Sequence, residues 1–189
     1  MSVAEQIALL AAIGTCLGVA VAFVVALLGF IKWRDQRRQR ELAAERKLRD
    51  ACDLLKSARD AQLDWLTSSE AEFSKEPGTG QEDEAQCYLL DALELGPSRK
   101  LQAAIRLELG ALAHRRGELD SAEEELTESI RLNRRYAKAY EERGLLRWYR
   151  RDHSCAFQDM ERALDLLPRT EREEIERRLH SWRAQITET

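Results

Sequence analysis

Ala139-Tyr140-Glu141-Glu142-Arg143-Gly144-Leu145, followed by Ala156-Phe157 and then by Met160, Ala163, Leu164, Leu166 and Pro168, is the stretch on which the fold turns. Its partner lies 34 residues upstream, where Gly110 answers Gly144, Ala122 answers Ala156, Leu126 answers Met160, Ser129 answers Ala163 and Leu132 answers Leu166. Matched size classes at one period mark an internal repeat. The surrounding sequence is rich in Ala, Leu, Glu and Arg and holds only three prolines, Pro77, Pro97 and Pro168, so it reads as helix. Gly110 with Ala122, and Gly144 with Ala156, are small where two helices of a hairpin touch. Gly117 suits a left-handed end to the first helix. Asp120 with Glu123 is expected to cap the next helix, and Pro168 ends the last hairpin.

Residues 103–168 resemble the tetratricopeptide repeat, with Leu109-Gly110-Ala111 and Arg116-Gly117-Glu118-Leu119-Asp120 forming the earlier copy. The likeness extends more loosely over residues 82 to 186. It implies helical hairpins stacked into a curved array, whose concave face, lined by the first helix of each hairpin, binds peptides. By matching positions the groove carries Leu107, Ala111, His114 and Arg115 from one repeat and Lys138, Glu141, Leu145, Trp148 and Tyr149 from the next. Chaperone-binding members hold a C-terminal carboxylate with Lys, Asn and Arg, but Leu107, Ala111 and Glu142 stand at those positions, so that specificity is rejected. Other departures are Arg134 in place of a proline, and Arg106, Ala113 and Arg147 in place of large aromatics. What remains is an apolar, aromatic strip edged by Arg147, Arg150 and Arg151, suited to an amphipathic helix or extended segment with acidic flanks. Alternatively, Trp148 and Tyr149 pack against a closing helix.

That closing helix is expected at 170–186. Thr170 and Glu173 form a capping-box pattern, and Ile175, Leu179, Trp182 and Ile186 share one face. A degenerate copy precedes the two repeats at 82–97, with Ala85, Leu89, Ala92, Leu93, Leu95 and Pro97. Its partner helix is expected over Glu41–Phe73, with Leu48, Ala51, Leu55, Ala58 and Trp65 on one stripe, and the polar stretch Ser74–Gln81 as a loop.

The N-terminal part has a different character. Ile7 to Ile31 runs 25 residues without a charged side chain, and Lys32, Arg34, Arg37, Arg38 and Arg40 follow. At ~1.5 Å per residue this run is long enough for a hydrocarbon core of ~30 Å. A cleaved signal peptide has a shorter apolar region with basic residues in front, whereas Glu5 stands in front here. The expectation is an uncleaved anchor, with residues 1–6 outside and the basic collar 32–40 retained in the cytoplasm. Trp33 sits where an interfacial aromatic belongs. Gly14, Gly18, Ala22 and Ala26 recur every four residues. Such a stripe favours close helix pairing, as a homodimer or with another membrane helix, although Gly and Ala are also simply common in such segments.

The net charge of −4 is unevenly spread, about +4 over residues 32–40 and about −7 from Glu41 onward. The collar suits anionic lipid head groups, and the acidic remainder argues against nucleic acid. Cys16, Cys52, Cys87 and Cys155, and His114, His153 and His180, are dispersed. No metal or redox spacing is present, no cofactor motif, and no converging catalytic set.

The expected architecture is therefore all-α: a single N-terminal transmembrane helix (7–31), the collar (32–40), a long helix and polar loop (41–81), and a tetratricopeptide-like array over 82–189 (repeats at 103–136 and 137–170, capping helix at 170–186). The expected function is a non-catalytic, membrane-anchored adaptor or scaffold that recruits a protein partner. Its expected place is a single-pass membrane location with the array in the cytoplasm, and the Arg-rich, Lys-poor composition leans towards a bacterial inner membrane. The alternatives are a structural oligomer assembled through the small-residue stripe and a regulatory subunit of an enzyme.

Overall fold

The computed structural model describes residues 3–67 and 79–187, with side chains over 22–60 and 80–186. The helices are α1 (Val3–Thr67), α2 (Thr79–Glu94), α3 (Arg99–Arg115), α4 (Leu119–Leu132), α5 (Ala137–Tyr149), α6 (His153–Leu166) and α7 (Glu173–Thr187), with a 3-10 turn at Arg169–Glu171. No strand occurs among the described residues. The chain divides into two units, 1–42 and 43–189.

In the first unit, Phe23, Val24, Val25, Leu27, Leu28, Phe30 and Ile31 are all exposed. Phe30 stacks on Trp33 at 5.8 Å, and Arg37 lies over the Trp33 ring at 5.5 Å. Lys32, Arg34, Arg37, Arg38 and Arg40 are exposed, as are Ala22 and Ala26 of the small-residue stripe. Gly14 and Gly18 lie outside the residues whose surroundings are described. Among the described residues no helix is long and apolar enough to cross a membrane; described side chains begin at Ala22, inside the apolar run.

The second unit is built from hairpins. Ala44, Ala51 and Leu55 of α1 pack with Ala85, Leu89 and Ala92 of α2 and with Ile105, Leu109 and Leu112 of α3. Leu107 and Ala113 of α3 pack the other way, with Ala122, Leu126 and Ile130 of α4 and Ala139 and Leu146 of α5. Ala156, Met160 and Ala163 of α6 meet Ile175, Leu179 and Trp182 of α7. Each inner helix thus closes one apolar cluster and opens the next, the logic of a stacked array. The polar breaker expected at Ser74–Gln81 lies mostly outside the described residues, and α2 already begins at Thr79.

Two expected caps are different in the structure. Helix α4 starts at Leu119, so Asp120 falls in its first turn and does not cap it. Its carboxylate instead bonds Arg150, just past the end of α5, a charged donor that outcompetes a backbone N–H. Thr170 lies inside the 3-10 turn, and α7 begins only at Glu173. Ser98 and Asp152 do cap helices α3 and α6, accepting from the N–H groups of Leu101 and Cys155. Gly117 adopts φ 76°, and Arg151, 34 residues on, holds the same left-handed region at φ 63°.

The α3–α4 hairpin is closest at Gly110, where an added Cβ would lie 2.7 Å from Leu126 Cγ and 3.3 Å from the Ala122 carbonyl oxygen. At Gly144 the nearest atom would be Met160 Cγ, at 3.2 Å. Gly110→Ala is expected to destabilise by about 1–2 kcal/mol even after the gain in helix propensity, because branched Leu126 must shift bodily. Gly144→Ala is expected within about 0.5 kcal/mol of wild type, because a methionine repacks readily. Urea midpoints of the two variants check the difference.

Candidate protein-binding site

The open face of the array is lined by α3, α5 and α7. Helix α3 is packed on two sides, and this leaves the stripe Ala104, Glu108 and Ala111 half-buried. Leu107 is therefore not a groove residue: it is 1% exposed and belongs to the core between α3, α4 and α5. Arg115 also turns away, to Glu82 of α2 at 3.3 Å. On α5 the open stripe is Lys138, Glu142, Leu145 and Tyr149, and Glu141 beside it bonds Arg178 of α7 at 2.9 Å.

The aromatic residues gather where α5, α6 and α7 meet. Trp148 stacks face to face on Trp182, 4.2 Å apart and 4° from parallel. Phe157 meets both rings edge-on at 6.2 and 6.0 Å, and His153 lies 4.3 Å from Trp148. Trp148 is thus engaged by the closing helix. Tyr149 points the other way, 72% exposed, with its ring edge-to-face with His114 at 5.4 Å. Leu145, Trp148, Tyr149, Arg151, His153, Arg178, Trp182, Gln185 and Ile186 line a cleft of about 660 Å³. Ile186, on the expected inner face of α7, is instead 42% exposed at its rim.

Of the three arginines expected to edge the strip, only Arg151 does so. Arg147 bonds Asp159 at 2.9 Å and Glu123 at 3.1 Å, and Arg150 bonds Glu123 and Asp120. Arg143 makes a two-pronged pair with Asp159 at 2.9 and 2.7 Å. Asp159 is 4% exposed. Arg143, Arg147 and Arg150 fall at i, i+4 and i+7, a stripe of α5 and its C-terminal cap residue turned to α4 and α6, away from the groove. The departure of Arg147 from the aromatic pattern is thereby explained, since its site is ionic.

Electrostatics sets the tone of the rest of the groove. Burial pushes the Glu142 carboxyl above its ordinary value, and Glu141 and Glu108 add to this while Lys138 and Arg178 oppose it. Burial, then Arg115, lowers His114. Burial and Glu108 raise the half-buried Cys52 thiol of α1. Glu108 and Cys52 belong to this surface and were not singled out from sequence. Among the described residues, no group of three or more His, Cys, Asp or Glu side chains is arranged to hold a metal ion.

No protein-family model matches the chain, and no curated protein matches it significantly. Among solved structures, the second TPR of Spaghetti (RPAP3), bound to HSP90 peptide SRMEEVD, aligns with a TM-score of 0.55 at 18% identity, covering 74% of this chain and 99% of that one. The first TPR of Spaghetti, bound to the same peptide, gives a TM-score of 0.44 at 21% identity, covering 70% and 94%. The first of these likenesses shows the fold: an all-helical array of tetratricopeptide-type hairpins.

Glu142 offers a test of the groove's electrostatics. Its folded pKa is raised, so its contribution is most favourable below its ordinary value of 4.5 and is lost as pH rises through the folded value. Glu142→Gln removes that penalty. The variant is expected to be more stable than wild type at pH 7, with the gain vanishing below pH 4.5, as read from urea unfolding at both pH values.

Proposed function

We propose that this chain is a non-catalytic, membrane-anchored adaptor, and that its open face holds an apolar segment of a protein partner. The carrying observation is the cleft between α5 and α7. It offers exposed Tyr149 and Ile186 and half-buried Leu145 beside the Arg151 and Arg178 side chains. That combination suits an amphipathic helix or extended strand with acidic flanks. The second TPR of Spaghetti was solved with an HSP90 peptide. A peptide ending in a carboxylate suits this groove poorly, because Leu107 is buried and Glu142 is acidic.

The anchoring half of the proposal rests on sequence. The uncharged run Ile7–Ile31, followed by five basic residues, has the length and flank of a stop-transfer segment with the array in the cytoplasm. Exposed Phe23 to Ile31 are consistent with a lipid environment. A second reading, self-association through Gly14, Gly18, Ala22 and Ala26, is favoured by their four-residue spacing. Gly14→Leu with Gly18→Leu is expected to abolish intermolecular crosslinking in membranes if that stripe pairs; undiminished crosslinking rejects it.

Fractionation and capture test the main proposal together. The full-length protein is expected in the membrane pellet after alkaline extraction, and recovery in the soluble fraction rejects the anchor. Crosslinked capture from those membranes is expected to yield one specific partner with wild type and to lose it with Tyr149→Ala, whose side chain supports no core. Retention of the partner by that variant moves the contact off the cleft.

A further inference from the structure

The two cations that line the cleft between α5 and α7 are in different states. The Arg178 guanidinium is claimed twice, by Glu141 at 2.9 Å and by Glu174 at 3.0 Å. Two carboxylates on one guanidinium leave that side of the cleft with an excess of negative charge. Arg151, in the turn between α5 and α6, is exposed, and its side chain has no hydrogen bond or ion pair among the described residues.

The acids near Arg151 in the fold are already spent. The Asp152 carboxylate caps α6, accepting from the Cys155 N–H at 3.3 Å and from the Ser154 hydroxyl at 3.2 Å. Asp120 and Glu123 are held by Arg147 and Arg150 on the face of α5 turned from the groove. Two residues before Arg151 stands Tyr149, 72% exposed. A free cation and a free aromatic ring therefore lie side by side at one end of the open face. Towards the other end the face turns acidic. Glu142 of α5 and Glu108 of α3 are half-buried without an ion pair among the described residues, and Lys138 offsets only one of the two.

We infer that Arg151 is the residue by which this cleft reads its partner. It pairs with a carboxylate side chain on one flank only of the apolar segment, the flank that crosses the α5–α6 turn. The inference rests on the protein-binding reading proposed above and sharpens it. A free guanidinium beside an apolar contact forms a charge-assisted, two-pronged bond to a carboxylate without first breaking another pair. On the other flank an acid meets Glu141, Glu174 and Glu142, and like-charge repulsion selects against it.

The test pans phage-displayed random dodecapeptides over the full-length protein, immobilised through its N-terminus. Each peptide is joined to the phage by its C-terminus, so only side-chain carboxylates are on offer. Wild type is expected to enrich an apolar core with Asp or Glu on one side, and the enrichment is expected to vanish on Tyr149→Ala. One enriched peptide, and the same peptide with that carboxylate replaced by its amide, are then titrated against wild type and Arg151→Gly. The replacement is expected to weaken binding to wild type about tenfold and to change binding to Arg151→Gly by less than about twofold. Glycine holds the φ of 63° at this turn without steric cost, as Gly117 does at φ 76° in the preceding repeat, so Arg151→Gly is expected to keep its urea midpoint. Arg151→Asn, which also tolerates this conformation, is expected to bind as Arg151→Gly does. Carboxylates that are absent from the enriched peptides, present on both flanks, or equally costly to replace in wild type and variant overturn the inference and leave the cleft in place. Enrichment that survives Tyr149→Ala, or no enrichment at all, sinks the cleft and the role of Arg151 together.

Discussion

Asp159 is the charge around which the C-terminal half of the array is organised. A carboxylate this deeply buried is tolerable only if its lone pairs are filled. Here the Arg143 fork fills them from one side and Arg147 from the other. Arg147 then reaches Glu123, and Arg143 reaches the Thr127 hydroxyl at 3.2 Å. One residue of α6 therefore fixes the rotation of α5, and α5 in turn is registered against α4. Losing one partner of such a group costs about 3–5 kcal/mol, far more than an exposed pair contributes. With its ionic stripe committed to α4 and α6, α5 has only the stripe from Lys138 to Tyr149 left to present on the open face.

That division of labour accounts for the character of the groove. Near α1 and α3 the open face is mixed in charge, with Glu108 and Lys138 both acting on the Glu142 carboxyl in opposite directions. Near α7 lies the aromatic cleft, where Trp148 and Trp182 fill the hairpin junction and Tyr149 and Ile186 stay exposed. Recognition of an apolar segment belongs to the second region. The first is better suited to rejecting partners of the wrong charge.

The repeat was legible because close helix approach demands small residues at fixed places, and Gly110, Ala122, Gly144 and Ala156 cannot be large without moving a neighbour. Tyr149, Leu145 and Ala111 on the open side were legible from the same register. Leu107 was not. It sits one position from Glu108 on a helix buried on two sides, and a repeat pattern alone does not say how far each flank closes. The ionic seam was hidden for a different reason. Arg143 and Arg147 read as breaks in an apolar pattern until Asp159 and Glu123, on other helices, are brought opposite them. Arg115 was misplaced by the same ignorance of its partner, Glu82. The cap at Asp120 failed because Arg150 claims its carboxylate, and the one at Thr170 because a 3-10 turn over Arg169–Glu171 delays the helix start to Glu173.

The parallel indoles of Trp148 and Trp182 carry a last consequence. Two such chromophores held 4.2 Å apart couple their electronic transitions, so their near-ultraviolet spectrum is that of a pair and not of two isolated rings. One indole belongs to α5 and the other to the terminal helix. Peeling that helix off would uncouple them, so the protein carries its own optical gauge of whether the end of the stack is sealed.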